Sequence, residues 1–175
     1  MKKLGKQTIK FDVPPSIVSV ASIVGPKEAN GPLAQYFDQC LDDEFWEEKT
    51  WEKSESKIIK ETVNMAISKS GIASSDIEYC FAGDLLNQCI SSSFGLRELN
   101  IPFIGIFGAC STFVEGLSLG AVFTESCAQN VICAASSHFC SAEKQFRFPL
   151  ELGNQRPQTS QWTVTGAGSA ILSKT

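Results

Sequence analysis

The residue best placed to do chemistry in this chain is Cys110. An apolar segment, 102–107, leads to it through Gly108-Ala109, and a long, weakly polar segment, 111–123, follows it at once. This order predicts a strand, a tight turn and a helix, with the thiol at the helix N-terminus, where the helix dipole favours a thiolate. A nucleophile in such a turn is typical of α/β enzymes. The same small residues also fit a sharp turn around a buried cysteine, so spacing alone leaves both interpretations open.

Three further side chains could assist Cys110 or bind a ligand. His138, the only histidine, follows an apolar segment at 131–135, and Asp84 follows another such segment. Sites in α/β sheets gather at the carboxyl ends of strands, so both could approach Cys110. Arg147 lies in the polar segment beyond His138. Each has a plainer interpretation, because an aspartate after glycine often caps a turn and loop arginine or histidine side chains are usually solvated.

Hydrophobic patterning indicates the elements that would position these residues. Thr50 can cap a long helix that Gly71 ends, since glycine readily adopts the left-handed conformation. Strands alternate with helices, which predicts an α/β fold with a mostly parallel five-stranded sheet in one domain, 1–175. We expect strands at 17–24, 77–82, 102–107, 131–135 and 162–172, helices at 31–40, 51–70, 87–99 and 110–123, and a loop-rich segment at 136–160.

The segment 111–123 is unusual because Glu115 is its only charged residue and apolar or small residues face every direction. A helix of this composition is expected to be buried on all sides. One five-stranded sheet covers only one side of it. A second layer of protein is therefore expected to cover the other side.

Composition excludes several classes of protein. The net charge is −4, which argues against nucleic acid as the main partner. The sequence has no apolar stretch long enough to span a bilayer, and its lysine-rich start lacks the apolar region of a secretory signal. Seven cysteines without a Cys-x-x-Cys pair, and a single histidine, predict no zinc site and free thiols in a reducing cytosol.

The chain resembles the thiolase superfamily around residues 108–113 (Gly-Ala-Cys-Ser-Thr-Phe), 71–77 and 166–173. It resembles one family more specifically, the stage V sporulation protein AD (SpoVAD) family. The strings that carry this second resemblance span nearly the whole chain: 25–28, 31–33, 82–88, 101–103, 107–112, 136–138, 143–147 and 163–166. The likeness implies a thiolase-like amino-terminal half, with a mixed, mostly parallel sheet and a buried helix after Cys110, whose carboxyl-terminal half is absent.

The SpoVAD resemblance also implies a function. It suggests a non-enzymatic component that binds dipicolinic acid or its calcium chelate, acting with other SpoVA proteins in dipicolinate uptake during sporulation and release during germination. We expect it in the cytoplasm, peripheral at the inner spore membrane, without a cofactor or a metal site, as a homodimer or with a separate carboxyl-terminal half.

A planar dicarboxylate needs guanidinium groups, backbone N–H groups at a helix N-terminus or a bound cation. The sequence hypothesis is a pocket bounded by Asp84, Cys110, His138 and Arg147. Two alternatives remain: an acyltransferase of the thiolase or ketoacyl-synthase type with Cys110 as nucleophile, and a truncated chain without independent activity.

Overall fold

The computed structural model describes residues 1–147, 159 and 161–174, apart from the side chain of Arg147. Within these residues it contains eight strands, β1 (Lys2–Leu4), β2 (Thr8–Lys10), β3 (Ser16–Val24), β4 (Gln39–Cys40), β5 (Tyr79–Gly83), β6 (Phe103–Gly105), β7 (Asn130–Ser137) and β8 (Gly166–Ser173). Strands β1 and β2 form a separate hairpin. The other six form one sheet in the order β4-β3-β8-β7-β5-β6.

Five helices of the same described part connect and cover these strands. They are α1 (Pro26–Ala29), α2 (Trp51–Ser70), α3 (Ile90–Leu96), α4 (Thr112–Ser126) and α5 (Phe139–Arg147). Short 3-10 turns at Asn87–Cys89 and Arg97–Leu99 flank α3, and a third, at Ala109–Ser111, leads into α4. The predicted helix at 87–99 is therefore a short α-helix between two tighter turns, and Asn100 adopts the left-handed conformation that ends it.

Strand direction places the ends of several strands at one edge of the sheet. Strands β3 and β4 pair in parallel, as do β5 with β6 and β5 with β7, whereas β8 lies antiparallel between β3 and β7. The carboxyl ends of β3, β5 and β7 therefore meet at the start of β8. The mixed, mostly parallel sheet is confirmed, and the two-residue strand β4 makes the strand count six instead of five.

Helix α2 covers one face of the sheet, with the limits that the sequence predicts. The Thr50 side chain accepts a hydrogen bond from the backbone N–H of Lys53, and Gly71 ends the helix with φ of 70°. Its inner face buries Ile58, Ile59, Val63 and Ala66 completely. Each large aliphatic side chain contributes roughly 1.5–3 kcal/mol by leaving water, so this face holds α2 on the sheet.

Helix α4 covers the opposite face through small residues. Its buried positions are Thr112, Gly116, Gly120 and Thr124. A Cβ atom on Gly120 would lie 2.7 Å from Leu172 Cδ1, so only glycine allows this close approach. The outer face is open, because Val114 is 63% exposed and Leu119 is 41% exposed. The expectation that this helix is buried on all sides is thus correct only for the face that contacts the sheet.

The strand expected at 162–172 begins only at Gly166, and two other segments contain elements that the sequence did not predict. The segment 31–40, expected to be a helix, contains a 3-10 turn at Ala34–Tyr36 and strand β4, which pairs with the edge of β3. The segment expected to be loop-rich from 136 onwards contains α5. Both elements are short, so their sequences carry little periodicity and tertiary contacts decide their conformation.

Candidate functional site

A cleft of about 610 Å³ lies where the carboxyl ends of β3 and β7 meet the start of β8. This is the edge at which α/β sheets bind ligands. The described residues that line it are mostly apolar or neutral polar, and none of them is Lys, Arg or His: Ser22, Val24, Phe37, Leu85, Ala109, Cys110, Phe113, Ala135, Ser136, Ser137, Gln161, Trp162, Thr163, Val164, Gly166, Ala167 and Gly168.

Cys110 is exposed and lines this cleft, in the strand-to-helix turn that the sequence predicts. It precedes α4 by two residues, inside the 3-10 turn Ala109–Ser111, so it is not itself in the first α-helical turn. Ala109 has φ of 50°, a left-handed conformation that is strained for alanine and frequent at functional turns. The thiol is thus accessible to a ligand, although the acidic Glu115 shares the first turn of α4 and opposes anion binding there.

Other cysteines of the sheet are unsuited to chemistry. Cys80 and Cys133 are buried, and burial raises the pKa of each thiol to about 12. A thiol with so high a pKa is protonated at neutral pH and is a poor nucleophile. Among the described residues that line the cleft, Cys110 is the only cysteine.

His138 is completely buried, and both ring nitrogens have partners inside the protein. The Nε2 atom lies 2.7 Å from the carbonyl oxygen of Glu44, and Nδ1 lies 3.2 Å from the backbone nitrogen of Cys140. Since a carbonyl only accepts and a backbone N–H only donates, Nε2 carries the proton and Nδ1 accepts. This ring has no nitrogen left to accept a proton from Cys110. It instead holds the segment around Glu44 against the start of α5.

Asp84 is also completely buried and acts within the fold. Its Oδ1 accepts from the backbone N–H of Leu86 at 2.8 Å, and its Oδ2 accepts from the backbone N–H and the hydroxyl of Ser92, at 2.8 and 2.7 Å. It therefore fixes the turn after β5 and the first residues of α3. Neither Asp84 nor His138 lines the cleft with Cys110. Among the described residues, no group of three His, Cys, Asp or Glu side chains is arranged to hold a metal ion.

Arg147 is the last residue of α5. Its side chain lies outside the described residues, so its proposed contact with a ligand stays a prediction. The structure thus brings one of the four predicted residues, Cys110, to the cleft, and places two of them, Asp84 and His138, in the protein interior.

Sequence reasoning missed a buried carboxyl group, Glu55 on α2. Its Oε1 accepts from the Ser136 hydroxyl at 3.0 Å and its Oε2 accepts from the Ser141 hydroxyl at 3.1 Å, so it links α2 to β7 and α5. Burial, and then the negative charge of Asp84, raise the pKa of Glu55 to about 7. One signal in the sequence could have revealed it. Glu55 stands three and four residues before Ile58 and Ile59, on the apolar face of the helix.

Sequence reasoning also missed the aromatic wall of the cleft. Trp162 lines it, and the ring centroid of Phe139 lies 4.7 Å from that of Trp162. The Lys27 ammonium lies 2.9 Å from the centroid of the same indole ring. A cation over an aromatic face is attracted by the π-electrons, so Lys27 brings a positive charge close to a cleft whose described lining residues are uncharged. No simple spacing in the sequence connects these three residues.

The fold is that of the amino-terminal half of thiolase-like enzymes. A priming β-ketosynthase from the R1128 polyketide pathway aligns with a TM-score of 0.60 and 17% identity over 98% of this chain and 53% of its own. The 3-oxoacyl-(acyl carrier protein) synthase III of Xanthomonas oryzae pv. oryzae aligns with a TM-score of 0.61 and 14% identity, over 94% and 57%. At these identities the likeness defines the fold alone.

Sequence similarity defines the family. The family model of stage V sporulation protein AD (SpoVAD) matches residues 5–175, and the chain therefore belongs to the SpoVAD family. Stage V sporulation protein AD of Bacillus subtilis (strain 168) is 40% identical over 176 residues. The alignment covers 100% of this chain and 52% of that relative, so the chain spans about half the relative's length.

Proposed function

We propose that this chain is the amino-terminal half of a non-enzymatic component that binds dipicolinic acid or its calcium chelate. In this role it serves the SpoVA system, in dipicolinate uptake during sporulation and in its release during germination. The observation that carries the proposal is an accessible cleft that contains Cys110 and an aromatic wall, with no histidine, lysine or arginine among its described lining residues. Family membership supports the sporulation context.

The chemistry of the cleft suits a flat, weakly charged ligand. The faces of the Trp162 indole are in contact with Phe139 and Lys27, and its exposed edge can contact a pyridine ring. Dipicolinate carries two negative charges and Ca²⁺ two positive ones, so the one-to-one chelate is neutral overall. A cleft without Lys, Arg or His among its described lining residues therefore favours the chelate over the free dianion. Arg147, at the end of α5, is the proposed further cation.

Calorimetry tests this proposal. The chain should bind calcium dipicolinate more tightly than dipicolinate alone, and Trp162→Leu should weaken binding about 3- to 10-fold, the value of one edge-to-face aromatic contact. Phe94→Leu is the matched control, because Phe94 is 57% exposed and lies outside the cleft. Absence of heat with both ligands, or an equal loss in both variants, would contradict the proposal.

The outer face of α4 is the proposed interface with a second polypeptide. Val114 and Leu119 are exposed there, and Val20 of β3, on the sheet face away from α2, is 54% exposed. A carboxyl-terminal half or a second copy of this chain would bury these apolar side chains. Light scattering on the calorimetry sample checks this, since a stable monomer in the absence of other protein would contradict self-association.

Acyl transfer by Cys110 is the second candidate function. The exposed thiol in a strand-to-helix turn, and a fold shared with ketoacyl synthases, favour it. We nevertheless expect no turnover of acetyl-CoA or acetoacetyl-CoA, because both nitrogens of His138 are occupied and acyl transfer needs a base. A spectrophotometric thiolysis assay provides the measurement. Activity that disappeared in Cys110→Ala would establish the enzymatic alternative.

The proposed location is the cytoplasmic face of the inner spore membrane. No helix in the described part of the chain is long and apolar enough to cross a bilayer. The proposal therefore requires attachment from one side, through other SpoVA proteins or through the lipid surface itself.

A further inference from the structure

The amino-terminal hairpin concentrates positive charge in an acidic protein. Residues 1–10 contain Lys2, Lys3, Lys6 and Lys10, four of the 15 basic residues of the chain, and none of its 19 acidic residues. All ten residues are exposed. None of the four lysines forms an ion pair with another described residue. The hairpin is therefore a compact cationic surface on a chain whose net charge is −4.

This arrangement opposes the stability of the hairpin itself. Lys2 of β1 lies directly opposite Lys10 of β2 in the antiparallel register. Like charges at paired positions repel each other across the strands, and a hairpin of two short strands is marginally stable. An external anionic surface would relieve this repulsion, since each ammonium group would then have a partner.

The base of the hairpin is fixed to the body of the protein. Glu125, near the end of α4, accepts from the Met1 ammonium at 2.9 Å and from the backbone N–H groups of Asp12 and Val13 at 3.2 and 3.1 Å. The Met1 ammonium also pairs with Asp12. The hairpin therefore projects from one defined place on the protein. Lys2 and Lys10 lie on one face of the two-stranded ribbon, Lys3 lies on the other, and Lys6 lies in the turn at the far end.

Apolar side chains between the lysines indicate which anionic surface fits. Leu4 and Ile9 are 47% and 53% exposed, one on each strand. Nucleic-acid surfaces usually combine basic residues with aromatic or arginine side chains, and residues 1–10 contain neither. Lysines with exposed aliphatic side chains suit the interface of a bilayer, where headgroups carry charge and the acyl boundary accepts apolar groups.

We propose that the β1–β2 hairpin docks on a lipid bilayer with anionic headgroups. This inference deepens the proposed membrane location and rests on it, and it assigns the contact to this hairpin instead of to another protein. The four lysines supply the electrostatic attraction. Leu4 and Ile9 lie on opposite faces of the ribbon beside the turn at 5–7, and both enter the interfacial region when the turn end of the hairpin meets the bilayer.

Vesicle co-sedimentation of the chain tests the inference. The chain should bind phosphatidylglycerol vesicles and should not bind vesicles of phosphatidylcholine alone. Replacing the four hairpin lysines with glutamine should weaken this binding at least about tenfold, because each lysine that reaches the headgroups contributes about fivefold to the affinity. The matched control replaces Lys49, Lys53, Lys144 and Lys174 with glutamine, which changes the net charge equally and should leave most of the binding. In about 1 M salt, where the Debye length is about 3 Å, the remaining binding should fall further in Leu4→Thr/Ile9→Thr.

Three outcomes would overturn the inference: no binding to anionic vesicles, equal losses in the hairpin and control variants, or retardation of DNA by the hairpin without vesicle binding. The outcome of the dipicolinate calorimetry does not depend on the outcome of this test. If the protein binds vesicles through the hairpin but does not bind dipicolinate, the membrane inference is supported and the proposed function is contradicted. If it binds dipicolinate but does not bind vesicles, only the membrane inference is contradicted.

Discussion

Gly83→Ala is expected to remove about 3 kcal/mol or more of folding stability, the upper range for an overpacked position. Gly83 ends β5, and a Cβ atom there would lie 1.8 Å from the carbonyl oxygen of Ile106 and 2.9 Å from Cγ2 of Thr112. The first contact is with main chain, which no side-chain rotation relieves. The backbone N–H of Ile106 also donates to the carbonyl oxygen of Ala82 at 2.9 Å. A shift of the segment around Ile106 therefore breaks the pairing between β5 and β6.

Urea unfolding of the two glycine variants measures this effect. The control is Gly168→Ala on β8, where an added Cβ meets no atom within 4 Å. Both substitutions reduce the freedom of the unfolded chain in the same way, so the difference between them isolates the contact at Gly83. Because a domain of this size has only about 5–15 kcal/mol of stability, Gly83→Ala should unfold at a much lower urea concentration. Equal midpoints for the two variants would show that the β5–β6 segment moves without cost.

The position of Gly83 also explains the shape of the site. Its missing side chain lets the segment before Cys110 approach β5 closely, and this contact fixes the start of the turn that carries the thiol. Asp84, the next residue, ties the same strand end to α3 through Ser92. The Gly-Asp pair is thus part of the framework behind the cleft. Packing within the protein therefore accounts for the Gly-Asp pair without a contact to a ligand.

The sequence predicts those features that depend on local patterning. The long helix α2, capped by Thr50 and ended by Gly71, is confirmed with its exact limits because periodicity, cap and terminator agree. The turn at Cys110 is confirmed because small residues and a change of hydrophobic pattern mark it. Strand β4 is missed because two residues carry no period and are ordered only by the edge of β3.

The interior polar groups could not be assigned from the sequence in the same way. His138 and Asp84 follow strands as ligand-binding residues do. The polar atoms of both side chains, however, already have hydrogen-bond partners inside the protein. Glu55 is a charged residue type, yet it lies on the buried side of α2. Residue type and spacing identify an edge of the sheet, whereas burial and hydrogen-bond partners decide which side chains reach solvent.

Glu55 makes the stability of the protein depend on pH. Its pKa is about 7 in the folded chain and its ordinary value is 4.5, because burial and the charge of Asp84 disfavour the carboxylate. The folded state therefore keeps a proton at pH values where the unfolded chain has lost it. This contribution is fully present below about pH 4.5 and is lost as the pH rises through about 7, a decrease of about 3 kcal/mol.

Glu55→Gln should abolish that decrease. Glutamine has nearly the same shape, and its amide can bond both the Ser136 and Ser141 hydroxyls without ionising. Relative to the wild-type chain, the variant should gain about 3 kcal/mol of unfolding free energy between pH 4.5 and 8, as measured by urea unfolding at each pH. Glu61→Gln, on the same helix and partly exposed, should follow the wild-type curve. If Glu55→Gln also followed it, the carboxyl group would already be ionised in the folded chain, and the network around Ser136 and Ser141 would hold a charge instead of a neutral acid.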